Sequence, residues 1–357
     1  MLCIASFFIF VILGIFSAYY RKLAGKAWYC VVRRITFRPC DINFSQEIKG
    51  KLLGKIILKK PRFAKFLEKW IDFFAFGFIV LSIWSLFMVF FAGLNLFVYD
   101  TCDPHSVESC SLGGESCGIN TTTPGFFESM GSGDIFGYFG RNISEFGNTL
   151  SRIPDRFREW KVSDYVTSEN TYYLPYDSKK ETILEILDPS CVYCAKLFGN
   201  VKKAGADQKY NLTYFVFPIP NSNNANGYKF PHSYLLAKYL LAIKIAEKGK
   251  TQNGISKDWQ FLEEIFTGHE GDMTMQEAFN LQFNDENAVL KINDILRKIG
   301  YDEGDIKYIS STADGPEVKK QLAEQKNIVE TKIRTIKIPT ILLHGRRYDR
   351  VINPDQF

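Results

Sequence analysis

The chain has 357 residues, of which 46% are hydrophobic, and a net charge of +5. That length suits two or three units at roughly 100–200 residues each, and the composition excludes a wholly disordered chain. The charge is unevenly divided: residues 1–20 carry none, residues 21–70 carry 14 Lys and Arg against 3 Asp and Glu, and the remainder is net acidic. A nucleic-acid binder working through one general basic surface would not be built this way.

Residues 1–20 form an uncharged apolar run, and Phe73 to Val98 form a second. A spanning helix needs about 20 predominantly apolar residues, so both are expected to cross a membrane, as helices over 1–20 and 71–99. The basic stretch 21–70 between them is short enough for the positive-inside rule and is expected to face the cytoplasm. Met1 and everything after Tyr99 are then expected outside. Leu52, Leu53, Ile56, Ile57 and Leu58 lie among lysines, which suits either an interfacial helix on anionic lipid or a plain topology signal.

Residues 100–170 read as an extracytoplasmic stalk. Cys102, Cys110 and Cys117 sit there in a Gly/Ser/Thr-rich stretch. An oxidising compartment would pair such cysteines, and three is an odd number. They are either a stapled loop or a redox relay to the main site, with Cys3 or another chain available to the third. Phe136, Phe139, Ile143, Phe146, Leu150, Ile153, Phe157 and Trp160 recur at three- and four-residue steps, interrupted by Pro154. A dimer seam, a helix lying on the membrane and a helix packed on its own domain all fit that stripe.

The chemistry begins at Thr182. Thr182–Leu187 is a short apolar strand with one acid, Glu185, inside it; Asp188-Pro189-Ser190 breaks it, and Cys191-Val192-Tyr193-Cys194 opens a helical run. A helix N-terminus carries partial positive charge and unpaired N–H groups, which favour a thiolate at its first residue. Cys191 is thus expected to be the exposed, attacking cysteine and Cys194, one turn in, the buried resolving one. The rival readings are half of a zinc site and a structural disulfide. Zinc needs two further ligands, and no second C-x-x-C exists. A disulfide at so short a spacing is strained, and strained disulfides tend to be labile. Leu212–Phe217 is a second strand, the pattern turns helical from about Pro231 to Lys332, and Lys337 to Leu343 is a strand containing Pro339. His344 to Arg347 is expected to be a turn and Tyr348 to Ile352 the return strand.

In this order, residues 171–357 resemble the DsbA-like thiol-disulfide oxidoreductases: an α/β, thioredoxin-like fold with an inserted helical subdomain at about 225–333, here preceded by two transmembrane helices. The resemblance implies that Glu185 moves a proton to or from the buried cysteine. It implies that Pro339 is the cis-proline facing the site, and that Ile338 before it holds an extended substrate by strand-like hydrogen bonds. Thr340, Val192 and Tyr193 complete the substrate-binding set. Asp188, three residues before Cys191, also fits a common pattern of the family. The family's last helix would begin at Asn353-Pro354, so the domain reads as lacking it. No cofactor is implied beyond the Cys191–Cys194 disulfide. The expected partners are extracytoplasmic client proteins, a membrane redox partner that resets the site, and the bilayer, with no nucleic acid. The expected activity is thiol-disulfide exchange, oxidase or isomerase ahead of reductase. A reductase fed by a separate membrane electron donor and a non-catalytic peptide-binding or chaperone module are the alternatives.

Overall fold

The computed structural model of the chain describes residues 18–35, 61–104, 115–119, 124–166 and 170–357. The chain divides into two units, Met1–Gly93 and Leu94–Phe357.

The first unit holds helix α1 (Ala18–Ile35) and most of α2 (Pro61–Tyr99). Pro61 suits a first helical position, where the missing N–H has no partner to lose. Within α2 the 24 residues Phe76–Tyr99 are long and apolar enough to cross a membrane. Leu81, Val89 and Phe90 are largely exposed there, as lipid-facing side chains would be. The expected span over 71–99 therefore lies inside a helix that starts ten residues earlier. The expected span over 1–20 and the Leu52–Leu58 segment lie outside the described residues, apart from the start of α1.

The second unit begins with β1 (Cys117–Gly118), α3 (Phe126–Gly131) and α4 (Ile135–Leu150). Then come β2 (Thr182–Leu187), α5 (Val192–Ala204), the short α6 (Ala206–Lys209) and β3 (Asn211–Val216). Five helices and a two-stranded hairpin follow: α7 (Ser233–Ala246), α8 (Lys257–Thr267), β4 (His269–Glu270), β5 (Met273–Thr274), α9 (Met275–Leu281), α10 (Asp285–Lys298) and α11 (Glu303–Ala313). After α12 (Pro316–Asn327) and a π-helical turn (Ile328–Ile333), the chain re-enters strands β6 (Lys337–Ile338), β7 (Thr340–Leu343) and β8 (Arg346–Tyr348). The main sheet has the order β3-β2-β7-β8, with β2 parallel to β3 and antiparallel to β7. That connectivity, with α7–α12 inserted between β3 and β6, is thioredoxin-like.

The apolar runs explain the sheet. β2 lies inside the sheet and β3 at its edge, and nearly every residue of both is buried, as strands covered on both faces require. Gly205 ends α5 in the left-handed region at φ 62°, with open space where a Cβ would stand. Gly205→Ala is expected to cost about 1 kcal/mol, purely through backbone conformation, in denaturant unfolding of the full-length protein.

Three sequence expectations shift. The turn is the two-residue His344-Gly345, both at positive φ, which suits a tight hairpin; the return strand is therefore Arg346–Tyr348, paired with Ile341–Leu343, rather than Tyr348 to Ile352. The strand around Pro339 is split, because β6 pairs with β1 and only β7 joins the main sheet. The apolar stripe leaves the helix at Leu150, with Pro154 in a 3-10 turn (Ile153–Arg156); Phe136, Ile143 and Phe157 are exposed, whereas Trp160 is buried. Trp160 donates its backbone N–H to the Gly345 carbonyl at 2.8 Å and is flanked by the Arg158 and Arg347 guanidiniums. With Cys117 and Tyr165 it belongs to the core of this unit, so the segment read as a stalk packs part of the domain. Asn353 caps a short 3-10 turn, Pro354–Gln356.

Candidate active site

Strand β2 ends at Leu187, and the loop Asp188-Pro189-Ser190 turns the chain into α5, whose N-cap is Cys191. The loop is tied from several sides. The Asp188 carboxylate accepts from the Ser190 N–H (2.9 Å), the Ile219 N–H (2.8 Å) and the Ser233 hydroxyl (2.7 Å). From α9, the Gln276 amide donates to the Pro189 carbonyl (2.8 Å) and the Asn280 amide to the Ser190 carbonyl (2.9 Å). The helical insertion thus grips the loop carrying the cysteines. Nothing local in the sequence points to Gln276, Asn280 or Ser233, because their partners lie 45 to 90 residues away.

Cys191 and Cys194 are both free thiols, both fully buried and one helical turn apart. The Asp188 N–H donates to the Cys194 sulfur at 3.4 Å. Burial pushes Cys194 up to about 11 and Cys191 well above an ordinary thiol. The exposed, thiolate-favouring Cys191 expected from the sequence is thus not what the structure holds. The helix N-terminus is in place, but desolvation outweighs it.

What covers Cys191 is β1. Cys117 and Gly118 pair antiparallel with Ile338 and Lys337, Cys117 opposite Ile338. The Ile119 N–H donates to the Ile336 carbonyl at 2.9 Å, and the Val351 N–H to the Glu115 carbonyl at 3.0 Å. Glu115 is ion-paired with Lys196 on α5, and Lys229 reaches the Gly118 carbonyl at 3.4 Å. Cys117 is a free thiol, 5% exposed, beside the Cys191 thiol. Its interaction with the Cys191 thiol, then burial, pushes the Cys117 thiol far up. The Cys191 thiol also faces the Ile338 carbonyl at 4.0 Å. Three thiols therefore stand in a row: Cys117, Cys191, Cys194.

Glu185 is fully buried, and neither of its carboxyl oxygens has a hydrogen-bond partner. Burial raises it to about 8, and its charge raises Cys194. The Ile338–Pro339 peptide is cis. Of the remaining sequence candidates, Val192 is 58% exposed beside the cysteines and Tyr193 packs partly against the core. The Thr340 hydroxyl turns to the Lys337 carbonyl, Thr335 and Asp349 and so supports the turn around Pro339. Cys102 is disulfide-bonded and is not part of the thiol row; Cys110 lies outside the described residues. Among the described residues no group of three or more His, Cys, Asp or Glu is placed to hold a metal ion.

No family model matches the chain, and no curated protein does. Solved structures do. A thioredoxin-like oxidoreductase from Silicibacter pomeroyi DSS-3 matches at 17% identity over 53% of this chain and 88% of its own, with a TM-score of 0.37. The thiol-disulfide exchange protein alpha-DsbA2 from Wolbachia pipientis matches at 19% identity over 55% and 89%, with a TM-score of 0.38. MdbA, a thiol-disulfide oxidoreductase from Corynebacterium matruchotii, matches at 16% identity over 54% and 89%, with a TM-score of 0.39.

Proposed function

We propose that the protein is a membrane-anchored, extracytoplasmic thiol-disulfide oxidoreductase that exchanges disulfides with client proteins through Cys191 and Cys194. The observation that carries the reading is the placement of two adjacent thiols at the start of α5, against the backbone edge of Ile338. Sulfur chemistry needs that much: a nucleophile, a resolving thiol one turn on, and an edge strand that can align an extended chain. Cys191 attacks the client disulfide or is attacked by the client thiol, and Cys194 resolves the mixed disulfide. Glu185 exchanges a proton with Cys194. Ile338, Pro339 and Thr340 shape the edge that aligns the client, with Val192 and Tyr193 beside it. In this reading the α2 segment anchors the enzyme and a membrane partner resets the site, and the basic stretch 21–70 supports a domain on the outer side.

The test uses full-length protein in detergent micelles, a reduced two-cysteine fluorescent peptide, and glutathione disulfide. Cys191→Ser is expected to drop oxidation to the uncatalysed rate, while Cys194→Ala, with Cys117→Ser added to remove the neighbouring thiol, accumulates enzyme–peptide mixed disulfides. Oxidation by Cys191→Ser at the parent rate would sink the proposal. One observation favours the reductase alternative: burial holds Cys191 protonated, and a poorly stabilised thiolate makes its disulfide less oxidising. The reduction potential decides between them. A value around −120 to −180 mV marks a disulfide-forming or isomerising enzyme, and one around −270 mV marks a reductase.

A further inference from the structure

The segment 115–119 crosses the active site where a client strand would lie. It pairs antiparallel with the Ile338 edge and sets its cysteine opposite Ile338, whose carbonyl faces the Cys191 thiol at 4.0 Å. It is held at both ends, by Val351 and Lys196 at Glu115 and by Ile336 at Ile119. A structural strap would need none of this thiol placement. Covering Cys191 calls only for an apolar side chain.

We infer that residues 115–119 are an internal substrate strand, with Cys117 a third redox cysteine that exchanges into a disulfide with Cys191. The inference rests on the exchange reading above. In the oxidised site the Cys117 thiolate attacks the sulfur of Cys191. The Cys117–Cys191 bond forms as the Cys191–Cys194 bond breaks, and the electron pair leaves on Cys194. Cys194 takes up the proton that Cys117 released, with Glu185 beside it, so no electron enters or leaves the protein. The internal disulfide frees Cys194 and keeps Cys191 oxidised under cover. A client must displace the strand from the same Ile338 edge, so client and strap compete for one place.

The experiment follows the pairing directly. Full-length Cys194→Ala protein in micelles is treated with glutathione disulfide, thiols are alkylated, and disulfide-linked peptides are mapped by mass spectrometry without reduction. The Cys191–glutathione bond forms first; Cys117 then displaces glutathione. A tethered thiol acts at millimolar effective concentration, so with free glutathione at about 0.1 mM the internal disulfide is favoured by about tenfold or more. The expected result is a Cys117–Cys191 linked peptide, and at least that much less glutathione on Cys191 than in the Cys117→Ser/Cys194→Ala double variant. Glutathione retained on Cys191 with Cys117 alkylated overturns the inference, and this reading of the single variant stands whether or not the double variant folds. Turnover of the two-cysteine peptide by the parent is scored separately. Its loss defeats the exchange reading, while the linked peptide or its absence decides the pairing.

Discussion

Full-length Glu185→Leu protein is expected to be about 3 kcal/mol more stable than the parent at pH 7, and slower by about a hundredfold in resolving mixed disulfides. The first half follows from burial. Glu185 lies in the central strand, opposite Tyr214 on β3 and Ile341 on β7, with neither oxygen hydrogen-bonded. Its carboxyl is held up at about 8 against an ordinary value of 4.5. The folded state therefore favours the neutral acid. That advantage is complete below about pH 4.5, and stability is lost as pH rises from there through 8. At 1.36 kcal/mol per unit, the loss is about 3 kcal/mol by pH 7 and about 5 kcal/mol above pH 8. Leucine is close in volume and has no charge to bury. Denaturant unfolding of parent and variant from pH 4 to 9 isolates the effect, since other titrating groups cancel in the difference. A difference that stays flat across that range would overturn the argument.

The second half runs the other way. Cys194 must lose a proton to attack the mixed disulfide, and burial holds it at about 11. Glu185 is close enough for its charge to raise that thiol, and an acid held near 8 is matched to accept the proton near neutrality. General-base assistance of this kind is worth about 10²–10⁴-fold. Stopped-flow resolution of a preformed peptide mixed disulfide reads it directly. The parent rate should rise as pH passes 8, and the variant should lose that rise. A residue that gains stability and loses rate when replaced is one retained for chemistry rather than for folding.

The sequence shows this asymmetry only in part. An acid inside the apolar run Thr182–Leu187 is visible, and the run's length marks a strand buried on both faces. The C-x-x-C at a helix start, the helical insertion and Pro339 are legible for the same reason: each is a local pattern of spacing or backbone chemistry. The burial of Cys191 is not. The helix N-terminus argument weighs only neighbours in sequence, whereas the desolvation that overrides it comes from Cys117, 74 residues earlier, through a strand two residues long. Such a strand has no periodicity to read, and the Gly/Ser/Thr-rich stretch around it looks like a loop. Trp160 is visible as the end of the apolar stripe, but what holds it is not, because the Gly345 carbonyl and the Arg347 guanidinium that meet it belong to the hairpin of β7 and β8. Gln276 and Asn280 sit on a short helix whose composition says nothing of the loop they hold.

Asp188→Ala is expected to lower stability by about 4 kcal/mol at pH 7, a large share of the 5–15 kcal/mol typical of a domain, and to depress exchange more than the stability loss explains. The carboxylate is fully buried and accepts from Ser190, Ile219 and Ser233. Alanine leaves three buried donors without an acceptor, each costing about 1–3 kcal/mol before the loop relaxes. At 2–4 °C per kcal/mol the midpoint should fall on the order of 10 °C. Asp188→Asn keeps one acceptor oxygen but turns an NH₂ toward a donor, so it should recover only part of the loss. The pH dependence separates a hydrogen-bond role from mere packing. Burial, opposed by its hydrogen bonds, raises Asp188 to about 6 from an unfolded value near 3.9. Its acid form thus favours the fold below about pH 4, and that contribution is lost as pH rises to 6. Both variants should lose this slope, and Ala should sit lower than Asn throughout. The loop that Asp188 ties to Ile219 and to the start of α7 is the one that aims Cys191 at the Ile338 edge. Loosening it should widen the approach of Cys191 to both Cys117 and Cys194, so the two disulfides should form more slowly even in protein that remains folded. Parent-like exchange in a folded Asp188→Ala protein would confine Asp188 to stability and leave Gln276 and Asn280 as the residues that hold the loop in place.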